Sequence, residues 1–236
     1  IFWLNPVAAA GMNAFLGVIS VALIYFLGKT WFNRQAGFIS AYLYAISFVT
    51  INYSRSSWNP NPMPFISLLT LYLTYKTLKR RSFKMFMIVG VLLGIAIQLH
   101  YLAVFLIIIV GVFILAGKAY LDKGIYIKET LKIYFKIFLG FLIGFSPFLF
   151  FEIRHGFPNI KTIFNFIFST TFNTSYGDNI SFINIVKDVF FRLFGRLVTT
   201  FPPKEQFGFF DHNIILLWQL ATLILGILSV LFIFGK

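Results

Sequence analysis

The sequence predicts an all-α polytopic membrane protein, and three observations carry that prediction. The 236-residue chain is 59% hydrophobic with 33 phenylalanines, and its mean hydropathy of +0.86 is too high for a soluble core that must show a polar exterior. Its apolar residues fall in runs approaching the ~20 residues a helix needs to cross hydrocarbon, where every backbone amide must be satisfied within its own segment. Val104 to Leu115 and Ile214 to Phe234 are apolar on nearly every face, without the alternation of a membrane β-strand.

Charge then orients the helices. The net charge is +13, but the cations cluster between apolar runs: Lys29 with Arg34; Lys76, Lys79, Arg80, Arg81 and Lys84; and Lys118, Lys123, Lys128, Lys132 and Lys136. The positive-inside rule makes these cytoplasmic loops beside anionic headgroups. No basic patch interleaved with aromatics occurs elsewhere, so nucleic acid is not an expected partner.

With those loops inside, about seven crossings follow in order. Ala8 to Gly28 runs inward, Ala36 to Tyr53 outward, Pro62 to Tyr75 inward, Met85 to His100 outward, Leu102 to Gly117 inward, Ile133 to Phe151 outward and Asn213 to Phe234 inward. Met85 to Gly117 is too long for one span, so it reads as a tight hairpin turning at Gln98 to Tyr101. Ile183 to Val198 has apolar residues at helical spacing among Lys187, Arg192 and Arg196, as in an extracytoplasmic helix lying at the interface; a short span there would reverse the last helix. The whole reads as one membrane domain over 1–236: helices with an outward polar pocket in 1–156, an extracytoplasmic loop in 157–212 and a final span in 213–236. A start at Ile1 and an end at Lys236 suggest an internal fragment of a longer protein, and zero cysteines exclude disulfides and thiolate metal sites.

Three polar segments share the outer side. Arg55 to Pro64 joins a guanidinium suited to phosphate with Trp58, Asn59 and Asn61, on a backbone restricted by Pro60, Pro62 and Pro64. The plainer alternatives are a snorkelling arginine and an interfacial tryptophan. Gln98, His100 and Tyr101 end a span in which Gly90 and Gly94 permit close helix packing. His100 suits a proton carrier, a metal ligand or a sugar-hydroxyl partner, or a satisfied interfacial histidine. Glu152, Arg154 and His155 follow Pro147, and Glu152 with Arg154 also fits a mutually neutralising structural pair. One carboxylate and two histidines here match no metal pattern, so a divalent metal is unsupported and no cofactor is implied. Paired acids inside helices, as in ion-coupled carriers, are missing. These residues support an outward polar pocket able to hold an anion.

At these positions the chain resembles the family 39 type of GT-C membrane glycosyltransferases, the group of the protein O-mannosyltransferases and the aminoarabinose transferase of lipid A. The resemblance runs through Asn5-Pro6-Val7-Ala8-Ala9, Tyr25 to Lys29 with Ala36-Gly37, Tyr53-Ser54-Arg55 with Trp58 to Asn61, Gly94 through Gln98 to Tyr101, and Pro147-Phe148 through Glu152 to Asn159. It implies a GT-C-type helix bundle that takes a sugar from a polyprenyl-phosphate donor, among membrane lipids, and passes it to a protein, lipid or glycan acceptor on the extracytoplasmic face. It also implies a catalytic acidic residue in a first outer loop that would precede Ile1, so the general base is expected upstream. Many relatives carry an aspartate near the place of Asn59 to Asn61, where this chain departs. Arg55 and Arg154 are then expected on phosphate, with Asn59, Asn61, Gln98, His100 and Tyr101 orienting sugar or acceptor. A cell-envelope polysaccharide polymerase or ligase, and a lipid-linked sugar flippase or transporter, would present similar arginines. The Lys, Ile, Phe and Asn bias suggests an AT-rich microbial genome, and the resemblance favours a bacterial plasma membrane.

Overall fold

The computed structural model describes residues 6–121, 124, 126–168, 217, 220, 221, 223, 224, 227 and 228. Among these the chain is helical, with no strand: α1 (Pro6–Trp31), α2 (Arg34–Ile46), α3 (Phe48–Ser54), α4 (Met63–Arg80), α5 (Met85–Leu99), α6 (Ala103–Leu121), α7 (Ile127–His155) and α8 (Pro158–Phe168). The chain forms two compact units, Ile1–Ala45 with Tyr53–Ser169, and Ile46–Asn52 with Thr170–Lys236.

Three of these helices are long and apolar enough to cross a membrane, α1, α6 and α7, and a fourth crossing arises if α2 and α3 form one broken span. The seven crossings expected from sequence are not confirmed among the described residues. The run Ala36 to Tyr53 breaks at Ser47, whose carbonyl accepts the Ile51 amide at 3.0 Å and so starts a new helix. α4 carries Lys76, Lys79 and Arg80 in its last turns, and the 15 residues of α5 reach only about 22 Å at 1.5 Å per residue. The expected span Asn213 to Phe234 and the interfacial helix Ile183 to Val198 lie outside the described residues, apart from isolated helical positions between 217 and 228. The expected hairpin is present, its turn beginning two residues later and ending one later, at His100 to Leu102 between α5 and α6. Large apolar side chains such as Val18, Phe105 and Phe150 stand exposed on the three long helices, as lipid-facing surfaces do. The chain is a membrane protein.

The tightest packing is between α5 and α7. Each carries glycines four apart, Gly90 and Gly94 on one, Gly140 and Gly144 on the other. A Cβ at Gly94 would sit 2.5 Å from the Phe141 carbonyl oxygen, and Cβ atoms at Gly90, Gly140 and Gly144 would strike the Ile137, Met87 and Val91 carbonyls. Missing side chains thus let backbone touch backbone, the small-residue solution to packing where lipid removes the hydrophobic drive. Residue numbers rise together along the seam, so α5 and α7 are parallel. α6 runs back between them in sequence, and the Tyr134 hydroxyl donates to the Gly111 carbonyl at 2.9 Å to join α7 to α6. Val89, Leu93 and Ala96 of α5, Leu106, Val110 and Ile114 of α6, and Ile133 and Ile137 of α7 fill one core with Ile66 and Leu78 of α4.

Three polar side chains inside the bundle bond to their own helices, whereas the buried Thr77 hydroxyl has no hydrogen-bond partner among the described residues. The hydroxyls of Ser20, Thr70 and Thr74 donate to carbonyls four residues back, at 2.8, 2.7 and 2.7 Å. Pro147 cannot donate to the Ile143 carbonyl, and the Ser146 hydroxyl does so instead at 2.7 Å. At the basic end Trp31 packs on Tyr75 and Phe113, with ring centroids 6.2 and 6.0 Å away, tying together the C-terminal parts of α1, α4 and α6.

Gly94→Ala is expected to destabilise the bundle by about 1–3 kcal/mol through overpacking. Gly111→Ala, where an added Cβ meets nothing within 4 Å, should be neutral or stabilise by up to about 1 kcal/mol. Unfolding of the two variants side by side in one detergent checks this, and equal stability would dismiss the seam as a determinant.

Candidate functional site

The parallel pairs place the N-terminal ends of α1, α4 and α6 and the C-terminal ends of α5 and α7 at one end of the bundle, away from the lysine clusters. The three polar segments singled out in the sequence all lie at that end.

The Arg55 to Pro64 segment is organised around one carbonyl. Ser56 O accepts from Asn13 Nδ2 of α1 at 2.7 Å and from Asn61 Nδ2 at 2.8 Å, and Asn61 Nδ2 also reaches Ser56 Oγ at 2.8 Å. Backbone turns from Asn61 N to Trp58 O (3.0 Å) and from Met63 N to Pro60 O (2.9 Å) lead into α4. Proline in the first turn of α4 costs nothing there, since that amide has no helical partner. Asn61 therefore shapes the loop. Arg55, Trp58 and Asn59 are exposed, and the Trp58 ring lies 6.2 Å from that of Tyr53. Among the described residues these side chains line a surface loop, more open than the pocket expected from sequence.

Gln98 joins the two seam helices. Its Nε2 donates to Gly94 O at 3.0 Å and across to Gly144 O on α7 at 2.6 Å, which leaves its carbonyl oxygen as the remaining polar handle. His100 leaves the helix in an extended conformation, and its Nδ1 accepts the Leu102 amide at 3.2 Å. An accepting Nδ1 requires the hydrogen on Nε2, so His100 offers a donor outward. Its ring stacks on Tyr101 with centroids 4.5 Å apart, and Tyr101 is exposed.

At the end of α7 the roles differ from the sequence expectation. Glu152 is fully buried. One carboxylate oxygen accepts Asn159 Nδ2 at 2.6 Å and Asn159 N at 3.3 Å, and the other accepts Ile160 N at 3.1 Å. It caps the first turn of α8, where free amides and the helix dipole favour a negative charge. The mutual neutralisation of Glu152 and Arg154 is therefore corrected: residues two apart point to different sides of a helix, and Arg154 is exposed. Gly156 (φ 74°) and Phe157 (φ 63°) take the left-handed conformation that turns the chain from α7 into α8. His155 Nδ1 lies 2.8 Å from the Phe151 carbonyl, a bond only a protonated Nδ1 can make, so the neutral ring presents the Nε2 lone pair. No group of three metal-ligating side chains converges among the described residues.

The family model described as dolichyl-phosphate-mannose-protein mannosyltransferase matches residues 1–151. The chain belongs to that family. No curated protein and no solved structure matches it. The mannosyltransferase match agrees with the GT-C resemblance read from the sequence. It takes in the Arg55 loop and the Gln98 to Tyr101 turn and ends one residue before Glu152.

Within this mannosyltransferase-family end, sequence reasoning missed Asn13 and the Ser56 carbonyl, and did not foresee Asn159 as the partner of Glu152. Asn13 had a signal: a lone amide in the apolar run of α1, which must find a partner in lipid. Because Asn13 and Asn61 bond the same oxygen, Asn13→Ala and Asn61→Ala are expected to cost about 1 kcal/mol each. The double variant should lose more than their sum by about 0.5 kcal/mol or more. A double-mutant cycle of unfolding in detergent reads this, and strict additivity would exclude a shared acceptor.

Proposed function

We propose that the chain takes part in transferring a glycosyl group from a polyprenyl-phosphate-linked sugar to a hydroxyl or amine of a protein, lipid or glycan acceptor. In this reading the transfer takes place on the extracytoplasmic face of a bacterial plasma membrane. The observation that carries the reading is the separation of the exposed Arg55, Asn59, Arg154 and His155, with the half-buried His100, at one end of the bundle from the lysine clusters at the other. Family membership supplies the reaction class.

In this reading the acceptor heteroatom attacks the sugar's anomeric carbon as the bond from that carbon to the phosphate oxygen breaks, and polyprenyl phosphate leaves. The negative charge growing on the leaving phosphate is what the site must stabilise, and fixed cationic donors near a low-dielectric boundary do so best. Arg55 and Arg154 take that role, with geometry suited to bidentate phosphate contact. Asn59, His100 through Nε2–H, and Tyr101 donate to sugar or acceptor hydroxyls, with Trp58 as a stacking face and the His155 Nε2 lone pair as an acceptor. Asn61, Gln98 and Glu152 hold the loop, the helix pair and α8 respectively, so that they position the others. The acceptor's proton goes to a carboxylate other than Glu152, whose oxygens both serve α8.

Arg55→Ala and Arg154→Ala are each expected to lower transfer of radiolabelled sugar from a polyprenyl-phosphate donor in lipid nanodiscs by about 10- to 1000-fold, the range for loss of one transition-state donor. Unchanged transfer and donor affinity in both folded variants would remove the phosphate assignment.

A further inference from the structure

At the basic end, the first turns of α7 carry Lys128, Lys132 and Lys136, four residues apart and so on one helix face. They line an open groove of about 550 Å³ together with Phe83, Leu131 and Phe135. The stripe spans roughly 12 Å at 1.5 Å per residue. Three features bear on what fills it. All three lysines are exposed, and none is in an ion pair among the described residues. The nearby acid Glu129 is bonded to Lys118 Nζ at 2.8 Å, so it does not neutralise the stripe. The remaining walls are apolar and also exposed, with Phe135 at 59% and Leu131 at 60%. Helical side chains lean toward the N-terminus, which carries the Lys132 and Lys136 ammonium groups toward the membrane surface while their stems stay along the groove.

We propose that this groove binds one anionic phospholipid of the surrounding bilayer, its phosphate on the lysine stripe and the upper part of an acyl chain against Phe83, Leu131 and Phe135. Charge complementarity selects the occupant. Three unneutralised cations favour a headgroup with net negative charge, whereas a choline headgroup brings a cation of its own. The apolar walls add a requirement for a chain that a soluble phosphate cannot meet. The site lies at the opposite end from the proposed transfer chemistry and is independent of it.

The test uses the purified chain in detergent micelles with fluorescent phosphatidylglycerol, fluorescent phosphatidylcholine and unlabelled glycerol 3-phosphate as probes. Wild type is expected to bind phosphatidylglycerol at least about tenfold more tightly than phosphatidylcholine. The variant Lys128→Gln/Lys132→Gln/Lys136→Gln should lose that preference, at up to about fivefold for each lysine near a charged headgroup. These side chains are exposed, and the charge-preserving Lys128→Arg/Lys132→Arg/Lys136→Arg variant, expected to keep the preference, provides a second reading should the glutamine variant fold poorly. Equal affinity for the two lipids in wild type, a preference that survives in the glutamine variant or vanishes in the arginine variant, or displacement of phosphatidylglycerol by equimolar glycerol 3-phosphate would each overturn the proposal.

Discussion

Contact between two helix backbones, α5 against α7 through Gly90, Gly94, Gly140 and Gly144, is the constraint on which the rest of this structure depends. Where lipid tails are as apolar as leucine, burying leucine between helices gains little, and association must come from close packing and interhelical hydrogen bonds. Glycine supplies the first by removing the side chains that hold helices apart. The Gln98 amide supplies the second, reaching the Gly144 carbonyl at 2.6 Å, which the absent Cβ leaves open. The register follows: with Gly90 over Ile137 and Gly94 over Phe141, the Gln98 to Tyr101 turn and the Glu152 to His155 turn emerge at the same end. Two parallel neighbours cannot be joined by a short turn, and the antiparallel α6 is the connection that this pairing demands.

The same scarcity of water explains how polar groups are handled elsewhere. Thr70, Thr74 and Ser20 bond to their own helices, and Ser146 serves the carbonyl that Pro147 orphans. Each is a local repair that leaves no demand on a neighbour. Asn13, Gln98 and Glu152 are different, because their bonds cross between elements: α1 to the Arg55 loop, α5 to α7, and α7 to α8. All three lie toward the end that carries the exposed arginines and His155. Polar cross-links in a membrane bundle are costly when left half-satisfied; these three fix the turns that present the candidate site, while Tyr134 to Gly111 and Lys118 to Glu129 join α6 and α7 toward the basic end.

Local patterns were legible in the sequence. Apolar runs gave α1, α6 and α7, and the position of Gln98 to Tyr101 between two such runs gave the α5 to α6 hairpin within two residues. The glycines of α5 were readable as a packing face; their partners at Gly140 and Gly144 were not, because spacing along one helix does not say which other helix it meets. The break at Ser47 was hidden because the residues around it are uniformly apolar or aromatic, and hydropathy has no way to register a change of helix axis. Glu152 shows the limit most clearly. From sequence its neighbour in the chain, Arg154, was an available partner, yet helical geometry sends the two side chains apart, and the turn at Gly156 and Phe157 brings α8's amides to the carboxylate instead.

That commitment of Glu152 also bears on Arg154 and His155 beside it. Both lie in the last turn of a 29-residue helix, where unpaired carbonyls and the negative end of the dipole favour cations even without a ligand. His155 uses this directly, giving its Nδ1 hydrogen to the Phe151 carbonyl. Arg154 is thus held at the end of a rigid helix whose axis is fixed by the glycine seam, whereas Arg55 sits on a loop that depends on Asn13 and Asn61 for its shape. In the proposed reading, one arginine stands on a helix fixed by the bundle and the other on a loop fixed by two amide bonds. Preorganisation of this kind lets a donor act on developing charge without reorganising at the moment of reaction. The two arginines differ in what their removal disturbs. Loss of Arg154 takes a favourable charge from the end of α7 as well as a proposed phosphate contact, whereas loss of Arg55 leaves the Asn13 and Asn61 bonds to Ser56 intact and removes the contact alone.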